Sequence, residues 1–225
     1  MELISHIKEF RQRFVKVIFI FSIFFSTAYF LSPKIINVIT ATLPPKVRLI
    51  STYPMESLYS QIKIAMYISF LLTLPYLLFQ IIEFIRPALK KQEKKFINLF
   101  YLGLFLFYTG CVFGFIFLYV FGIYFLSELS ISMSIGNLWS LEKTISFLFT
   151  VCFLLGVCFQ LPLLILILNR LKIFDKKFLK EKRKQIYIAI LITAAVITPT
   201  GDPFIMIIVT IPLIFLYELS LWLIN

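Results

Sequence analysis

Three observations predict an all-α, polytopic membrane protein. Hydrophobic residues make up 60% of the 225 and charged residues only 15%, too little charge to coat a soluble globule. The apolar residues gather in long runs of about 20, the length of a helix crossing a hydrocarbon core. The cations that leave a net charge of +11 sit in alternate connections between those runs. Their placement explains the basic balance without nucleic acid. A chain of this length is expected to form one integral membrane domain, 1–225.

The first sixteen residues read as an amphipathic lead-in. Leu3, Ile7, Phe10 and Phe14 recur at three- and four-residue steps and share one helical face. Glu9 and Arg13 stand four apart and can pair, worth about 0.3–0.5 kcal/mol if exposed. The segment is too charged for a cleavable signal, and no small-residue cleavage site follows. Phe14–Leu31 is the first span, and Pro33 is expected to discourage its continuation.

Ser32–Gln61 is too long for a simple turn and predicts a small ordered cap. Within it, Ile35–Leu43 could form a short helix ended by Pro44 and Pro45. Val47–Tyr53 has β-branched character, and Pro54-Met55-Glu56 reads as a helix start. Glu56 there would face the positive end of a helix dipole. Ile62–Glu83 is the second span, with Lys63 expected to snorkel to the interface and Pro75 to kink the helix.

Phe84–Lys95 is a polar connection with five cations and one acid in its basic stretch, Glu93. Neighbouring cations should keep that carboxylate ionised. It either neutralises Lys90 or Lys94, or receives a cation from a partner. Phe96–Leu126 is the third span, longer than one crossing, with Gly110 and Gly114 spaced for a close helix contact. Ser127–Lys143 follows as a loop with Trp139 at an interface. Thr144–Leu168 is the fourth span and holds Gln160 before Pro162. An unpaired amide in lipid is costly. Gln160 either bonds a carbonyl freed by the proline or contributes to a polar patch for a partner helix.

Asn169–Gln185 is intensely basic. Ile186–Thr198 and Phe204–Tyr217 then form a hairpin of two short helices around Pro199 and Asp202. The two arms carry 13 and 14 residues, about 20 Å each. Lys and Arg number 4, 5 and 8 in the N-terminal segment, Phe84–Lys95 and Asn169–Gln185. The opposite side carries only Lys34, Lys46, Arg48 and Lys143. This asymmetry predicts six transmembrane helices with both termini cytoplasmic.

Several function classes are disfavoured. Cys111, Cys152 and Cys158 lie in apolar runs without C-x-x-C spacing and read as small buried hydrophobes. The single His6 has no acid pair beside it, and there is no Gly-rich phosphate loop. Neither a metal, a cofactor nor an enzymatic site is expected. A small-solute permease or channel component is the alternative reading, but mid-membrane charge is almost absent and no internal repeat is visible.

The motifs go further. His6-Ile7-Lys8-Glu9-Phe10-Arg11-Gln12-Arg13 resembles the amino-terminal H-L-x-E-L-R-x-R of the TatC family of the twin-arginine protein translocase. Pro54-Met55-Glu56 resembles its P-x-E-x-F, with Leu58 for the aromatic. Pro75 to Gln80, then Phe84, Pro87, Leu89 and Glu93, resemble its P…Q…F-x-x-P-x-L-x-x-x-E. Gly114, Phe117 and Tyr119 are similar to its third-helix G-x-x-F-x-Y. Arg183 and Thr198-Pro199-Thr200-Gly201-Asp202-Pro203 resemble its R…T-P-x-D-P, and Pro212…Leu216-Tyr217-Glu218 its last helix. The likeness runs end to end in order. Departures are Gln160 where many members carry Glu, Met206 where a Gln is common, and Phe10 for Leu.

The resemblance implies binding of twin-arginine signal peptides of folded precursors on the cytoplasmic side, by Glu9, Arg13, Phe84, Pro87, Leu89 and Glu93. It implies structural or partner-helix roles for Pro54, Glu56, Gln160, Pro162, Arg183, Pro199 and Asp202. Expected partners are single-span TatA/TatB-type subunits, further copies of the chain in a receptor complex, and membrane lipid, with energy from the proton-motive force. The membrane would be a bacterial or archaeal plasma membrane, or a thylakoid or mitochondrial inner membrane. Heavy use of Phe, Ile and Lys is in keeping with an AT-rich bacterial or organellar genome.

Overall fold

The computed structural model describes residues 2–45, 47–86, 97–133, 136–170, 173, 175–197 and 203–223. They are almost wholly helical, joined by one short sheet. Four helical stretches are long and apolar enough to cross a membrane: His6–Thr42, Glu56–Ile85, Asn98–Ser132 and Leu141–Arg170. Val209–Trp222 is a shorter apolar stretch. The side-chain pattern is inverted relative to a soluble protein. Phe19, Phe30, Val196 and Trp222 are exposed, while Ser32, Ser60, Ser69 and Ser220 are buried. So much exposed apolar surface is stable only against lipid. The fold is that of a polytopic helical membrane protein.

Two compact units form, the first from residues 1–100 and 130–146, the second from 101–129 and 147–225. In the first, Glu2–Thr42 is one continuous helix, α1. Pro33 does not end it, contrary to the expectation from sequence, and no separate helix begins at Ile35. The reason is local. Pro33 cannot donate to the carbonyl of Tyr29, and the Ser32 hydroxyl donates to that oxygen instead, at 2.7 Å. Exposed hydroxyls farther down α1 are satisfied similarly. Ser22 donates to the Ile18 carbonyl, Ser26 to Ser22 and Thr27 to Ile23, each at 2.9 Å.

After α1, Arg48–Ile50 forms a strand, β1, and Glu56–Ile85 the helix α2, which packs along α1 and runs through Pro75 as helix. Leu138–Ser140 is a second strand, β2, parallel to β1 with Arg48 opposite Leu138 and Ile50 opposite Ser140. The β-branched run hinted at β1. Nothing in the sequence marked its partner.

In the second unit, Ile97–Phe117 is α3, followed by a π-helical turn, Leu118–Ile123, and by Tyr124–Ser132, α4. The third span is therefore continuous but changes pitch. The fourth is broken: Leu141–Cys158 is α5 and Leu161–Arg170 is α6, with Phe159 and Gln160 in a turn. Pro162 lies in the first turn of α6, where a missing N–H costs least. Lys176–Glu181, Arg183–Ile197 and Pro203–Leu223 are α7, α8 and α9. α9 packs on both α6 and α8. At 15 residues α8 is about 22 Å long, too short for an ordinary core.

Glycine sets the α3–α5 contact. A Cβ on Gly110 would stand 2.8 Å from the Leu155 carbonyl and from Phe159, and one on Gly156 would stand 2.6 Å from Cys111 Sγ. The reciprocal gaps let two backbones approach closely, which is how helices associate in lipid. Gly110→Val must push α5 aside. It is expected to cost about 1–3 kcal/mol and to lower the detergent melting temperature, read by static light scattering. An unchanged melting temperature would show that the contact is slack.

Candidate functional site

Two polar constellations stand out in the first unit. One lies near the start of α1 and the end of α2. The Arg13 guanidinium donates twice to Glu9 Oε1, from Nε at 3.0 Å and Nη2 at 2.8 Å. Its Nη1 donates to Gln80 Oε1 of α2 at 2.9 Å, and Gln80 Nε2 donates to the Tyr76 hydroxyl at 2.7 Å. The expected Glu9–Arg13 pair is present, and it belongs to a chain of four groups linking two helices. Its cation is half-buried and its acid more open, with 25% and 40% of their side-chain surfaces exposed. Partial burial and the second-helix partner hold this pair better than an isolated surface pair.

Below this cluster lies an apolar groove of about 300 Å³ between α1 and α2. Phe10, Phe14 and Val17 line one wall, and Leu77, Ile81 and Phe84 the other, while Arg13 and Gln80 border it. Phe10 and Phe84 meet edge to face across it, centroids 5.8 Å apart. One turn on, Arg86 pairs with Glu83 at 2.9 Å. Pro87, Leu89 and Glu93 lie outside the described residues, as do Pro199 and Asp202. The structure therefore brings together Glu9, Arg13 and Phe84. It adds Gln80, whose bond to Arg13 crosses between helices and is not given by spacing along the chain, with Tyr76 and Glu83 in four- and three-residue pairs on α2.

The other constellation centres on Glu56, the first residue of α2, with no exposed surface. Its Oε2 accepts from the Thr52 N–H and from Thr52 Oγ1 at 2.6 Å. Its Oε1 accepts from Ser140 Oγ at 2.6 Å and from the Glu142 N–H at 2.9 Å. Both oxygens are thus supplied with donors, the condition under which a carboxylate tolerates burial. Beside it the Glu142 carboxylate accepts from Lys63 Nζ and the Tyr53 hydroxyl, and Lys63 also donates to Ser146 Oγ at 2.9 Å. Lys63 does more than snorkel to the interface, because a carboxylate 79 residues away holds it. Pro54 occupies the exposed turn before α2.

In the second unit, Gln160 Nε2 donates to the Gly103 carbonyl at 2.9 Å. That carbonyl belongs to α3 and is not one freed by Pro162. The amide reaches it because Gly103 has no side chain to obstruct the approach; a Cβ there would stand 3.1 Å from Gln160 Oε1. Arg183 Nη2 donates to Glu218 Oε2 at 2.6 Å, and the Tyr187 hydroxyl to Glu218 Oε1 at 2.5 Å, tying α8 to α9. The Tyr217 hydroxyl caps the Leu179 carbonyl of α7 at 2.8 Å. Among the described residues no cluster of His, Cys, Asp or Glu could hold a metal ion.

The fold and these clusters define a polytopic helical membrane protein with polar groups gathered near its helix ends. Residues 5–212 match the family described as Sec-independent protein translocase protein (TatC). The Sec-independent protein translocase protein TatCy of Bacillus subtilis is 31% identical over 224 residues, 98% of this chain and 87% of that protein. An uncharacterized tatC-like protein, ycf43, of Gracilaria tenuistipitata var. liui is 32% identical over 219 residues, 97% and 91% of the two chains. A crystal structure of the twin arginine translocase receptor TatC superposes with a TM-score of 0.75 at 29% identity, covering 97% of each chain. The chain belongs to the TatC family. It is an integral membrane protein of the kind found in bacterial and thylakoid membranes, a subunit of the Sec-independent translocase and not an enzyme.

Glu56→Gln places an amide N–H where only acceptors fit. It is expected to cost about 1–3 kcal/mol and to open residues 48–53 to protease, followed by limited proteolysis of the purified protein. Cleavage no faster than in the parent would show that the carboxylate is not what holds the cap.

Proposed function

We propose that this chain is the receptor subunit that binds twin-arginine signal peptides of folded precursors and nucleates assembly with single-span TatA/TatB-type subunits and with further copies of itself, for proton-motive-force-driven export. The observation that carries the reading is the Glu9–Arg13–Gln80 cluster between α1 and α2, at the end of α2 that leads into the segment bearing Glu93. A guanidinium and a carboxylate pair through two aligned hydrogen bonds, stronger and more directional than a lysine contact. Arg13 already pairs with Glu9, through two nitrogens that converge on Oε1. An incoming arginine meets the same chemistry, and Glu9 with Glu93 gives two acids for two arginines. The cationic segments around them support a site on the cytoplasmic side.

Photocrosslinking from position 93 to a precursor with a twin-arginine signal is expected, and none when the signal carries twin lysine. Glu9→Gln or Glu93→Gln should weaken the twin-arginine complex roughly ten- to hundredfold. Equal crosslinking of both signals would sink the receptor reading.

Partner helices are received at Gln160 and on α8 and α9. Val196 and Phe215 present exposed apolar surface on α8 and α9, and the broken α5–α6 turn carries a polar amide. Gln160→Leu is expected to reduce co-purification of the single-span subunits while the protein stays monodisperse. Full retention of those subunits would assign Gln160 to internal packing alone.

A further inference from the structure

Charge gathers around α7 that no internal contact uses. Residues 175–184 hold six cations and two acids, Asp175 and Glu181. Arg183 is committed to Glu218. Among the described residues no acid pairs with Lys177, Lys180, Lys182 or Lys184, and all four are exposed. Lys176 and Lys180 stand four apart on α7, a like-charge spacing that costs stability. The segment is nevertheless firmly placed. Leu179 is buried, and the Tyr217 hydroxyl of α9 donates to its carbonyl at 2.8 Å. The Lys182 N–H donates to the Phe178 carbonyl and the Ile186 N–H to the Lys182 carbonyl, each at 3.0 Å, leading the chain into α8. A packed backbone therefore presents the lysines outward. Apolar groups stand exposed among them. Phe178 has 42% of its surface open beside Leu179 at 5%. Ile173 is exposed before α7, and so is Trp222 on α9, one turn beyond the Glu218 that holds Arg183.

We propose that α7 and its flanks form a docking surface for the anionic headgroups of membrane phospholipids. Phe178, Ile173 and Trp222 enter the headgroup layer, and Lys177, Lys180, Lys182 and Lys184 meet its phosphates. Lysines with long apolar stems beside exposed aromatic rings match a layer that is charged outside and oily within. Tryptophan in particular favours that depth. A dissolved phosphate would use the charge and leave the apolar groups in water. The surface also lies at membrane level already, since α7 packs on both α8 and α9, whose apolar faces are exposed at Ile188, Ile192, Ile211 and Phe215. Because α7 is tied to both helices, lipid held here also fixes the depth at which they sit. None of these residues belongs to the Glu9–Arg13–Gln80 cluster.

The test uses the full chain in phosphatidylcholine nanodiscs doped with a brominated lipid, which quenches tryptophan on contact. The quenching that Trp222→Phe removes belongs to Trp222. Each lysine near an anionic surface contributes about fivefold to attraction. Brominated phosphatidylglycerol is therefore expected to outcompete brominated phosphatidylcholine at Trp222 by about tenfold or more. Lys177→Gln, Lys180→Gln and Lys182→Gln together should bring the two lipids within about twofold of each other. Lys180→Glu alone should lower the preference about fivefold, and it decides the matter if the triple variant fails to fold. Equal quenching by the two lipids in the parent protein, or a preference untouched by either variant, overturns the proposal. So does displacement of the phosphatidylglycerol at matched ionic strength, which assigns the surface to a dissolved anion if inorganic phosphate achieves it and to an acidic protein segment if polyglutamate does.

Discussion

A buried carboxylate is the constraint on which the first unit depends. Glu56 has no exposed surface, and its two oxygens gather donors from Thr52, Ser140 and Glu142. The last two lie more than eighty residues along the chain. Burial of an unpaired charge would be prohibitive, so these donors must be in place whenever the unit is folded. That requirement fixes where α2 begins relative to the strand before α5. The parallel pairing of β1 and β2 follows, since three residues on each strand could not hold such a crossover unaided. Two turns into α2, the partly exposed Lys63–Glu142 pair adds a second tie between the same segments.

In lipid the usual hydrophobic force does not drive helices together, and the second unit shows what replaces it. Glycines admit backbones to close range along α3 and α5, and a few polar bonds choose the register. Gln160 spans to the Gly103 carbonyl through the gap that glycine leaves. Arg183, Tyr187 and Glu218 do the same between α8 and α9. Hydroxyls that face outward return to their own helix, as Thr109 does to the Phe105 carbonyl at 2.8 Å and Thr193 to Ala189 at 2.8 Å. Polar groups thus either fasten two elements or satisfy one.

The same economy shapes the site near the start of α1. Arg13 cannot face hydrocarbon alone, and its pairing with Glu9 and Gln80 makes it tolerable there. What stabilises the arginine also orients a carboxylate beside an apolar groove. One set of contacts serves both helices, so a change in either α1 or α2 there disturbs the pair.

The sequence by itself determined the class of protein and its long apolar helices. Those follow from run length, helical period and charge counts, which are local quantities. It also determined the Glu9–Arg13 pair, because a four-residue step on a helix places the two together whatever surrounds it. The start of α2 at Glu56 was legible for the same reason. Tertiary structure alone decided the rest. Helix α1 passes Pro33 because Ser32 takes over the orphaned carbonyl, a rescue that a proline rule cannot foresee. The fourth span breaks before Pro162, and Gln160 looks to α3, since only packing says which backbone lies within reach. The strand opposite β1, the Ser140 and Glu142 donors of Glu56, and the Gln80 that joins Arg13 all lie far along the chain from what they touch. Hydrogen bonds between distant segments leave no periodicity in a sequence, and here they set both the cap and the cluster that joins α1 to α2.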